Sequence, residues 1–323
     1  MKKRYLLLVF FILLLIGLVI LRPSVKSSTK TLKGITLTPR SFQEADFKDF
    51  FNKAKEAGKI VSWAGDWNEL SKTNGAPAVV ASLATTYDYI PVVEAQFFTQ
   101  SSGRLLRPLT ESTKQSYKSS ALAFAEKYKP KYLAFGIEIN LLYEKSPSDF
   151  EKFVSFYAEV YDAVKAVSPD TKVFTIFQLE KMKGLNGGLF GGANNPDKAQ
   201  WDLLNRFPKS DLIAFTTYPS LIYKDPSEIP ADYYDEIDTH TQKPIAFTEM
   251  GWHSGASPAG WEGSEAKQAD FVKRFFTLSG GLTREMVIWS FMYDQSTIVP
   301  FNTMGLRRSD GTAKPAWTAW LEA

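Results

Sequence analysis

The chain contains no cysteine and only two histidines among its 323 residues. The lack of cysteine excludes disulfide bonds, thiolate nucleophiles and cysteine-bound metals. His240 and His253 are too few for a histidine zinc site, and no Gly-x-Ser-x-Gly segment is present to place a catalytic serine beside either of them. We therefore expect no metal and no cofactor, with His240 at the surface and His253 at the rim of a site.

An excess of charge of either sign is also lacking. The 38 Lys and Arg residues against 35 Asp and Glu residues leave a net charge of +3, without the clustered basic face of a nucleic-acid-binding protein. A Gly-x-Gly-x-x-Gly turn after the first predicted strand is absent too. That absence disfavours a doubly wound dinucleotide-binding sheet, which is the structural alternative to the fold predicted below.

Only one long hydrophobic run occurs, from residue 5 to residue 21, and it follows Lys2, Lys3 and Arg4. This run is longer than the core of a secretory signal and lacks a small-residue cleavage site, but it just reaches the length of a membrane-spanning helix. We predict an uncleaved anchor at 1–21, a linker at 22–32 and an exported body. A cleaved signal, which would leave a secreted protein, is the alternative.

From residue 33 to residue 323, apolar β-rich runs alternate with stretches of helical periodicity. Strands are predicted at 35–37, 60–63, 89–98, 132–139, 172–178, 212–218, 244–249 and 286–293. Helices are predicted at 41–57, 77–85, 112–128, 148–167, 199–207, 233–239, 264–278 and 314–321. Eight such repeats predict an α/β fold of the (β/α)8 TIM-barrel type, preceded by the anchor helix.

Two of the predicted strands end on a glutamate, Glu138 on the fourth and Glu249 on the seventh. Barrel enzymes keep their chemistry at the carboxyl ends of the strands, and strands four and seven face each other across the barrel axis. A carboxylate in an apolar strand is costly unless it is paired or used, so a structural ion pair is the alternative. A facing pair predicts a retaining glycosidase, with the two carboxyl groups about 5–5.5 Å apart.

Further polar and aromatic side chains fall at the predicted strand ends, where aromatic faces suit the apolar faces of sugars and polar groups suit hydroxyls. The predicted substrate-binding residues are Trp63, Asp66, Trp67, Glu94, Gln96, Asn140, Gln178, Tyr218, Trp252, Trp289, Tyr293 and Asp294. Structural roles are the alternatives for several of them. Trp63 and Trp289 would fill the barrel, Glu94 would pair with Arg104 or Arg107, and Tyr218 would pack a loop.

Several of these segments resemble clan A of the glycoside hydrolases, and the nearest family is family 53, the endo-β-1,4-galactanases. Residues 136–140 resemble that family's Gly-Asn-Glu-Ile-Asn segment, residues 211–219 its sixth strand, Thr248-Glu249 its seventh strand, and Trp289 the tryptophan of strand eight. The resemblance implies that Glu138 is the acid/base and Glu249 the nucleophile. Ile137 departs from it, because the clan usually has asparagine there to contact the sugar 2-hydroxyl.

Together, the residues and the resemblance predict a retaining, endo-acting glycosidase of β-linked polysaccharide. Galactan-type and mannan-type substrates stay open because of Ile137. The expected partners are a polysaccharide or oligosaccharide and, through the N-terminal helix, a membrane. A non-catalytic glycan-binding barrel is the alternative function.

Overall fold

The computed structural model describes residues 30–255, 257 and 260–323, and Thr31–Ala323 forms one compact unit. The predicted anchor at 1–21 and most of the linker at 22–32 lie outside the described residues and stay predictions. In the described part of the chain, no helix is long and apolar enough to cross a membrane.

One sheet of nine parallel strands forms the centre of this unit, in the order β5-β4-β3-β2-β1-β9-β8-β7-β6. The strands are β1 Leu32–Thr36, β2 Ile60–Asp66, β3 Ile90–Gln96, β4 Tyr132–Phe135, β5 Lys172–Phe174, β6 Ile176–Gln178, β7 Ile213–Thr217, β8 Ile245–Met250 and β9 Arg284–Trp289.

The two end strands of that order, β5 and β6, are consecutive halves of one barrel position, separated only by Thr175. The Thr175 hydroxyl and the Ile176 amide both donate to the carbonyl of Gly136, at 3.2 and 3.1 Å. Strand β5 pairs with β4, whereas β6 pairs with β7. The sheet therefore curls into a nearly closed barrel with eight positions, which confirms the predicted barrel class.

Nine α-helices surround the barrel in the residues that the structure describes. They are α1 Glu44–Ala57, α2 Ala76–Tyr87, α3 Glu111–Tyr128, α4 Ile139–Lys145, α5 Pro147–Val167, α6 Leu179–Met182, α7 Ile237–His240, α8 Glu265–Leu278 and α9 Pro315–Glu322.

Two of the predicted helices are wrong in type or length. The segment predicted at 199–207 is a 3-10 helix, Trp201–Arg206, and the one predicted at 233–239 shrinks to the single turn of α7. Pro208 ends the first segment, and Pro230 precedes the second. Segments this short do not recover the cost of starting an α-helix.

Side chains alternate between two separate apolar regions, because successive residues of a strand point to opposite faces. The barrel interior holds residues such as Ile60, Val92 and Ala214. Their neighbours, such as Val61 and Val93, belong to the larger region between the barrel and the helices. This alternation decides which residues at the strand ends can reach the barrel mouth.

Candidate active site

Glu138 is positioned by a sharp turn of the chain directly after β4. Gly136 and Glu138 both have positive φ, 83° and 57°, and Glu138 caps the amino end of α4. The amide side chain of Gln96 holds the bend: its Nε2 donates to the Ile137 carbonyl at 3.0 Å, and its Oε1 accepts from the Ile137 amide at 3.4 Å. Gln96 thus fixes the backbone beside Glu138, and a direct sugar contact is not needed to explain it.

Glu249 reaches the barrel interior only because β8 contains a β-bulge. Phe215 pairs with Phe247 while Thr216 pairs with Glu249, so Thr248 is an extra residue on β8. Phe247 points outward and packs against Phe275 of α8, at 5.0 Å between ring centroids. Regular alternation would point Glu249 outward as well. The bulge shifts the alternation by one residue and turns Glu249 inward.

Strand β7 connects the two glutamates directly. Thr216, the register partner of Glu249, donates its hydroxyl to Oε1 of Glu138 at 2.6 Å. Tyr218 donates its hydroxyl to Oε2 of Glu249 at 2.7 Å and also lies 2.7 Å from the Ser290 hydroxyl. Because adjacent strands lie about 4.8 Å apart, this arrangement puts both carboxyl groups at the same level of the carboxyl-terminal end of the barrel.

The environment of Glu138 favours its protonated form. Burial, followed by the charges of Glu249 and Glu180, raises the pKa of Glu138 to about 8, although the Thr216 hydrogen bond opposes the change. Burial also raises the pKa of Glu249, and the Tyr218 hydrogen bond opposes that increase. A carboxyl group with a pKa near 8 carries its proton at pH 7 and can act as a general acid.

Glu94, on β3, adds a third carboxyl group beneath this pair. It is fully buried, and within the described residues neither of its oxygens has a hydrogen-bond partner. Burial and then the charge of Glu249 raise the pKa of Glu94 well above its ordinary value, although the nearby Thr248 hydroxyl opposes the change. Glu249 is partly exposed and accepts a hydrogen bond, so a negative charge shared by these two groups resides on Glu249.

The structural alternative for Glu94, an ion pair with Arg104 or Arg107, is wrong. Arg107 instead binds Asp66 through two parallel hydrogen bonds of 2.9 and 2.8 Å. Asp66 also accepts from the Asn68 amide at 3.0 Å. Asp66 was predicted to bind substrate, but it caps the turn after β2 and, through Arg107, ties that turn to the loop after β3.

A fourth buried carboxyl group, Glu180, was missed in the sequence. It accepts hydrogen bonds from Thr217, from the amide of Tyr218 and from Tyr233, at 2.8, 3.1 and 2.9 Å. Gln178 donates to its other oxygen at 2.5 Å. Glu180 therefore holds the end of β7, including the residue that contacts Glu249. The partners that it holds in place, Thr217, Tyr218 and Tyr233, are distant in sequence, so no local pattern indicates this role.

The four tryptophans predicted to form a sugar platform are core residues. Trp289 is fully buried, donates to the Met304 carbonyl at 2.8 Å and packs against Phe271 and Trp320 of the helix layer. The other three also belong to the region between barrel and helices: Trp63, Trp67 and Trp252. Trp63 points away from the barrel axis because of its position on β2, whereas Trp67 and Trp252 follow the ends of β2 and β8. The alternative in which Trp63 and Trp289 fill the barrel is equally wrong.

Trp67 illustrates why these rings are needed where they are. Its ring stacks on Tyr117 and Phe135, at 4.9 and 4.4 Å between centroids, and its Nε1 donates to the Tyr117 carbonyl at 3.0 Å. A large aromatic at this position fills the space between β4 and α3, which stabilises the packing of the helix layer.

Four more predicted binding residues have structural partners instead. Asn140 is fully buried and bonds to the backbone of Gln178 at 3.1 and 2.8 Å. Gln178 caps α6 through the Lys181 amide, and Tyr293 donates to Asp49 of α1 at 2.6 Å. Asp294 pairs with the buried Lys314 at 2.6 Å. Of the predicted substrate-binding residues, Tyr218 and Glu94 lie beside the carboxyl pair, and Gln96 supports it from behind.

The mouth of the barrel opens into a cavity of about 520 Å³ whose lining residues were not predicted. Its walls come from the segments after β3, β4, β6, β7 and β9, and they include Lys181, Phe190, Leu221 and Phe301. The Phe301 ring contacts the Tyr218 ring edge to face at 5.2 Å. Phe301, which lines the cavity, is thus separated from Glu249 by the side chain of Tyr218. We call it the inner cavity.

Neither histidine takes part in this arrangement. His253 is buried rather than at a rim, its Nε2 lies 2.9 Å from the Trp261 carbonyl, and burial lowers its pKa. His240 is exposed and stacks on Trp201, in agreement with its predicted surface position. Across residues 30–255, 257 and 260–323, no group of three or more His, Asp and Glu side chains is arranged to hold a metal ion.

Comparison with family models and with curated proteins returned no match. Solved structures do match in fold. A family 39 glycoside hydrolase from Bacteroides cellulosilyticus WH2 is 16% identical, with a TM-score of 0.62, over 90% of this chain and 62% of that one. Xylanase 10B from Thermotoga maritima is 13% identical, with a TM-score of 0.62, over 90% of this chain and 95% of that one.

A third match is the exo-β-1,4-mannosidase Op5Man5 from Opitutaceae bacterium strain TAV5. It is 12% identical, with a TM-score of 0.63, over 90% of this chain and 58% of that one. This chain therefore spans about three fifths of two of these proteins and nearly all of the xylanase. At such low identity the common property is the fold. The chain shares the barrel fold of these three proteins.

Proposed function

We propose that the protein is a retaining glycosidase in which Glu138 is the acid/base and Glu249 is the nucleophile. The observation that carries the proposal is the contrast between two carboxyl groups at one end of the barrel. Burial and the charge of Glu249 raise the pKa of Glu138 to about 8, whereas the effect of burial on the pKa of Glu249 is opposed by the hydroxyl of Tyr218. An acid that keeps its proton beside a carboxylate that loses it is what double displacement requires.

In the first step Glu249 attacks the anomeric carbon while Glu138 gives its proton to the departing glycosidic oxygen. The sugar is then bonded to Glu249 as an ester. In the second step Glu138, now a carboxylate, removes a proton from water, and the oxygen of that water displaces Glu249 from the anomeric carbon. Both groups return to their starting protonation states, and the sugar keeps its anomeric configuration.

The proposed substrate is a β-linked polysaccharide of galactan or mannan type, cleaved within the chain. The resemblance to family 53 supports galactan, and the unusual Ile137 keeps mannan beside it. The xylanase and the mannosidase among the structural matches add xylan and support mannan. The full chain should be screened against galactan, mannan, xylan and glucan, with product length separating internal from terminal cleavage. Proton NMR of the first product should show retention.

Variants test the roles of the two glutamates. Glu249→Ala should abolish turnover, and azide should restore it with formation of an inverted glycosyl azide. Glu138→Ala should impair polysaccharide cleavage far more than cleavage of activated aryl glycosides, which need little protonation of the leaving group. Glu126→Ala is the matched control, since Glu126 is an exposed residue of α3. Near wild-type activity of Glu249→Ala would place the nucleophile elsewhere.

The non-catalytic alternative has one observation in its favour, the absence of the clan's asparagine beside the acid. The Ile137 side chain is 3% exposed and packs with the barrel interior, and Asn140 is too well bonded to supply a substitute contact. A protein that binds a glycan but turns over none of the four polysaccharides or their aryl glycosides would support this alternative.

The proposed location is outside the cytoplasm, with the N-terminal run as a membrane anchor. The basic residues before that run and the lack of a cleavage site support it. Membrane fractionation followed by sequencing of the mature N-terminus separates an anchored protein, which retains residues 1–21, from a secreted one.

A further inference from the structure

A second cavity of about 550 Å³ lies next to the inner cavity, on the outer side of the mouth. We call it the outer cavity, and its lining includes Ser102, Arg104, Asp149 and Lys152. Lys145, at the end of α4, lines both cavities. The loop after β3 packs directly on Lys145, because a Cβ added to Gly103 would lie 2.5 Å from the Cβ of Lys145. The two cavities therefore form one groove that runs across Lys145 and reaches Phe301, whose ring contacts Tyr218.

The ionic side chains that line this groove carry an excess of positive charge. Four of them are cationic, namely Arg104, Lys145, Lys152 and Lys181, and two are acidic, Glu144 and Asp149. Asp149 is neutralised by Lys152 at 2.9 Å, and Glu144 accepts from Gln200 at 2.7 Å.

Two of these cations have no carboxylate partner. In the described residues no ion pair involves Arg104 or Lys145, and both side chains are exposed. Lys181 is half-buried, binds Asn186 rather than a carboxylate and lies 4.2 Å from the centre of the Phe190 ring. Burial lowers the pKa of Lys181, the Lys145 charge lowers it further, and Glu144 opposes both effects. Two ammonium groups thus line the same cavity with the single carboxylate of Glu144, which leaves an excess of positive charge there for an anion to offset.

We infer that the groove binds an acidic glycan, one whose sugars carry carboxylate or sulfate groups, and that Arg104, Lys145 and Lys181 contact those anionic groups. This inference rests on the proposed glycosidase function, because the groove leads to the carboxyl pair. The apolar wall of the inner cavity, with Phe190 and Phe301, suits the apolar faces of sugar rings. Arginine binds carboxylate and sulfate oxygens with two parallel hydrogen bonds, and the lysines act as point charges.

The test compares charged and neutral forms of the same glycan on the full chain. The ligands are oligosaccharides of galacturonate, glucuronate and mannuronate, the same oligosaccharides with their carboxyl groups reduced to alcohols, and a sulfated galactan with its desulfated form. Dissociation constants are measured by calorimetry at low and at high salt. At least one acidic ligand should bind more tightly than its neutral form, and the difference should shrink at high salt. The ligand that does so separates carboxylate from sulfate recognition.

The variant Arg104→Gln/Lys145→Gln should weaken binding of the acidic ligand about tenfold and leave binding of its neutral form unchanged, since exposed charge pairs contribute modestly. The matched control is Lys127→Gln/Lys131→Gln, which removes the same charge from two exposed lysines away from the mouth. An equal loss in the control would mean attraction by net charge alone, and would overturn the inference. So would equal affinity for acidic and neutral glycans, or equally tight binding of a single-stranded DNA oligonucleotide.

Failure of the inference is distinguishable from failure of the proposed function. Cleavage of neutral polysaccharide with retention, without any preference for acidic ligands, would refute the inference and support the glycosidase function. Charge-dependent binding of an acidic glycan that is never cleaved would refute the glycosidase function and support the groove as a binding site for acidic glycans.

Discussion

Replacing Glu138 by glutamine should stabilise the fold while it removes the catalytic acid, and the gain in stability should grow with pH. The carboxyl group has a pKa of about 8 in the folded protein and about 4.5 in the unfolded chain. Between these values the unfolded chain has released a proton that the folded protein still holds. The free energy of unfolding of the wild type therefore falls by about 1.4 kcal/mol for each pH unit.

Glutamine does not ionise, so the variant escapes this loss. Relative to the wild type, the free energy of unfolding should rise by less than about 1 kcal/mol at pH 5 and by about 3 kcal/mol at pH 7. The Thr216 hydroxyl can still donate to the oxygen of the new amide, so the main local hydrogen bond is kept. Urea unfolding of the full chain in mild detergent, followed by tryptophan fluorescence at pH 5, 6, 7 and 8, measures the difference.

Glu285→Gln is the control with the opposite sign. Although burial raises its pKa, the hydrogen bonds of Glu285 to Lys172 and Tyr132 hold the pKa below its ordinary value. Its stabilisation is present above the unfolded pKa and is lost as the pH falls, so Glu285→Gln should cost stability at pH 7 and little at low pH. A difference between wild type and Glu138→Gln that stays constant from pH 5 to pH 8 would refute the assignment of Glu138 as a neutral buried acid.

Three further substitutions test the site. Thr216→Val removes a hydrogen bond that lowers the pKa of Glu138. The alkaline limb of the pH profile of kcat/KM reports the ionisation of this acid, so the limb should move to higher pH. An unchanged alkaline limb would mean that another group controls it. Tyr218→Phe should lower kcat/KM about 10- to 100-fold and move the acidic limb of its pH profile to higher pH, because Glu249 loses a hydrogen-bond donor. Wild-type kinetics in this variant would exclude Glu249 as the nucleophile. Trp289→Ala should lower the free energy of unfolding by about 3–5 kcal/mol with little change in KM, and a raised KM at unchanged stability would restore the sugar-platform interpretation.

The barrel and the carboxyl pair were predictable because both depend on local features of the sequence. Eight apolar runs separated by helical stretches set the architecture, and a glutamate at the end of a run marks a strand end. Nothing local marks Thr216 or Glu180, because the groups that give them their roles, Glu138 for Thr216 and Thr217, Tyr218 and Tyr233 for Glu180, are many residues away. The break at Thr175, which divides one strand position between β5 and β6, likewise depends on the carbonyl of Gly136, the residue that follows β4.

The tryptophans were misplaced because proximity to a strand end does not say which face a side chain occupies. Ile288 lies in the barrel interior, so its neighbour Trp289 must point to the helices. Ile137 was interpreted as a missing substrate contact, yet its side chain packs among the apolar residues of the interior. An asparagine there would bury its amide rather than present it to a sugar. Ile137 lies between two residues with positive φ, Gly136 and Glu138, and a sequence does not display such backbone angles.

The extra residue on β8 has a consequence for how this chain should be compared with others. If Thr248 were instead paired with Thr216 in regular register, Glu249 would lie opposite Thr217 and would face the helix layer. Because Thr248 is the extra residue, its deletion would keep Glu249 opposite Thr216 and facing the barrel interior. In an alignment, a one-residue gap at Thr248 is therefore compatible with this carboxyl pair, and the number of residues between the apolar run and the glutamate does not decide whether a barrel carries it.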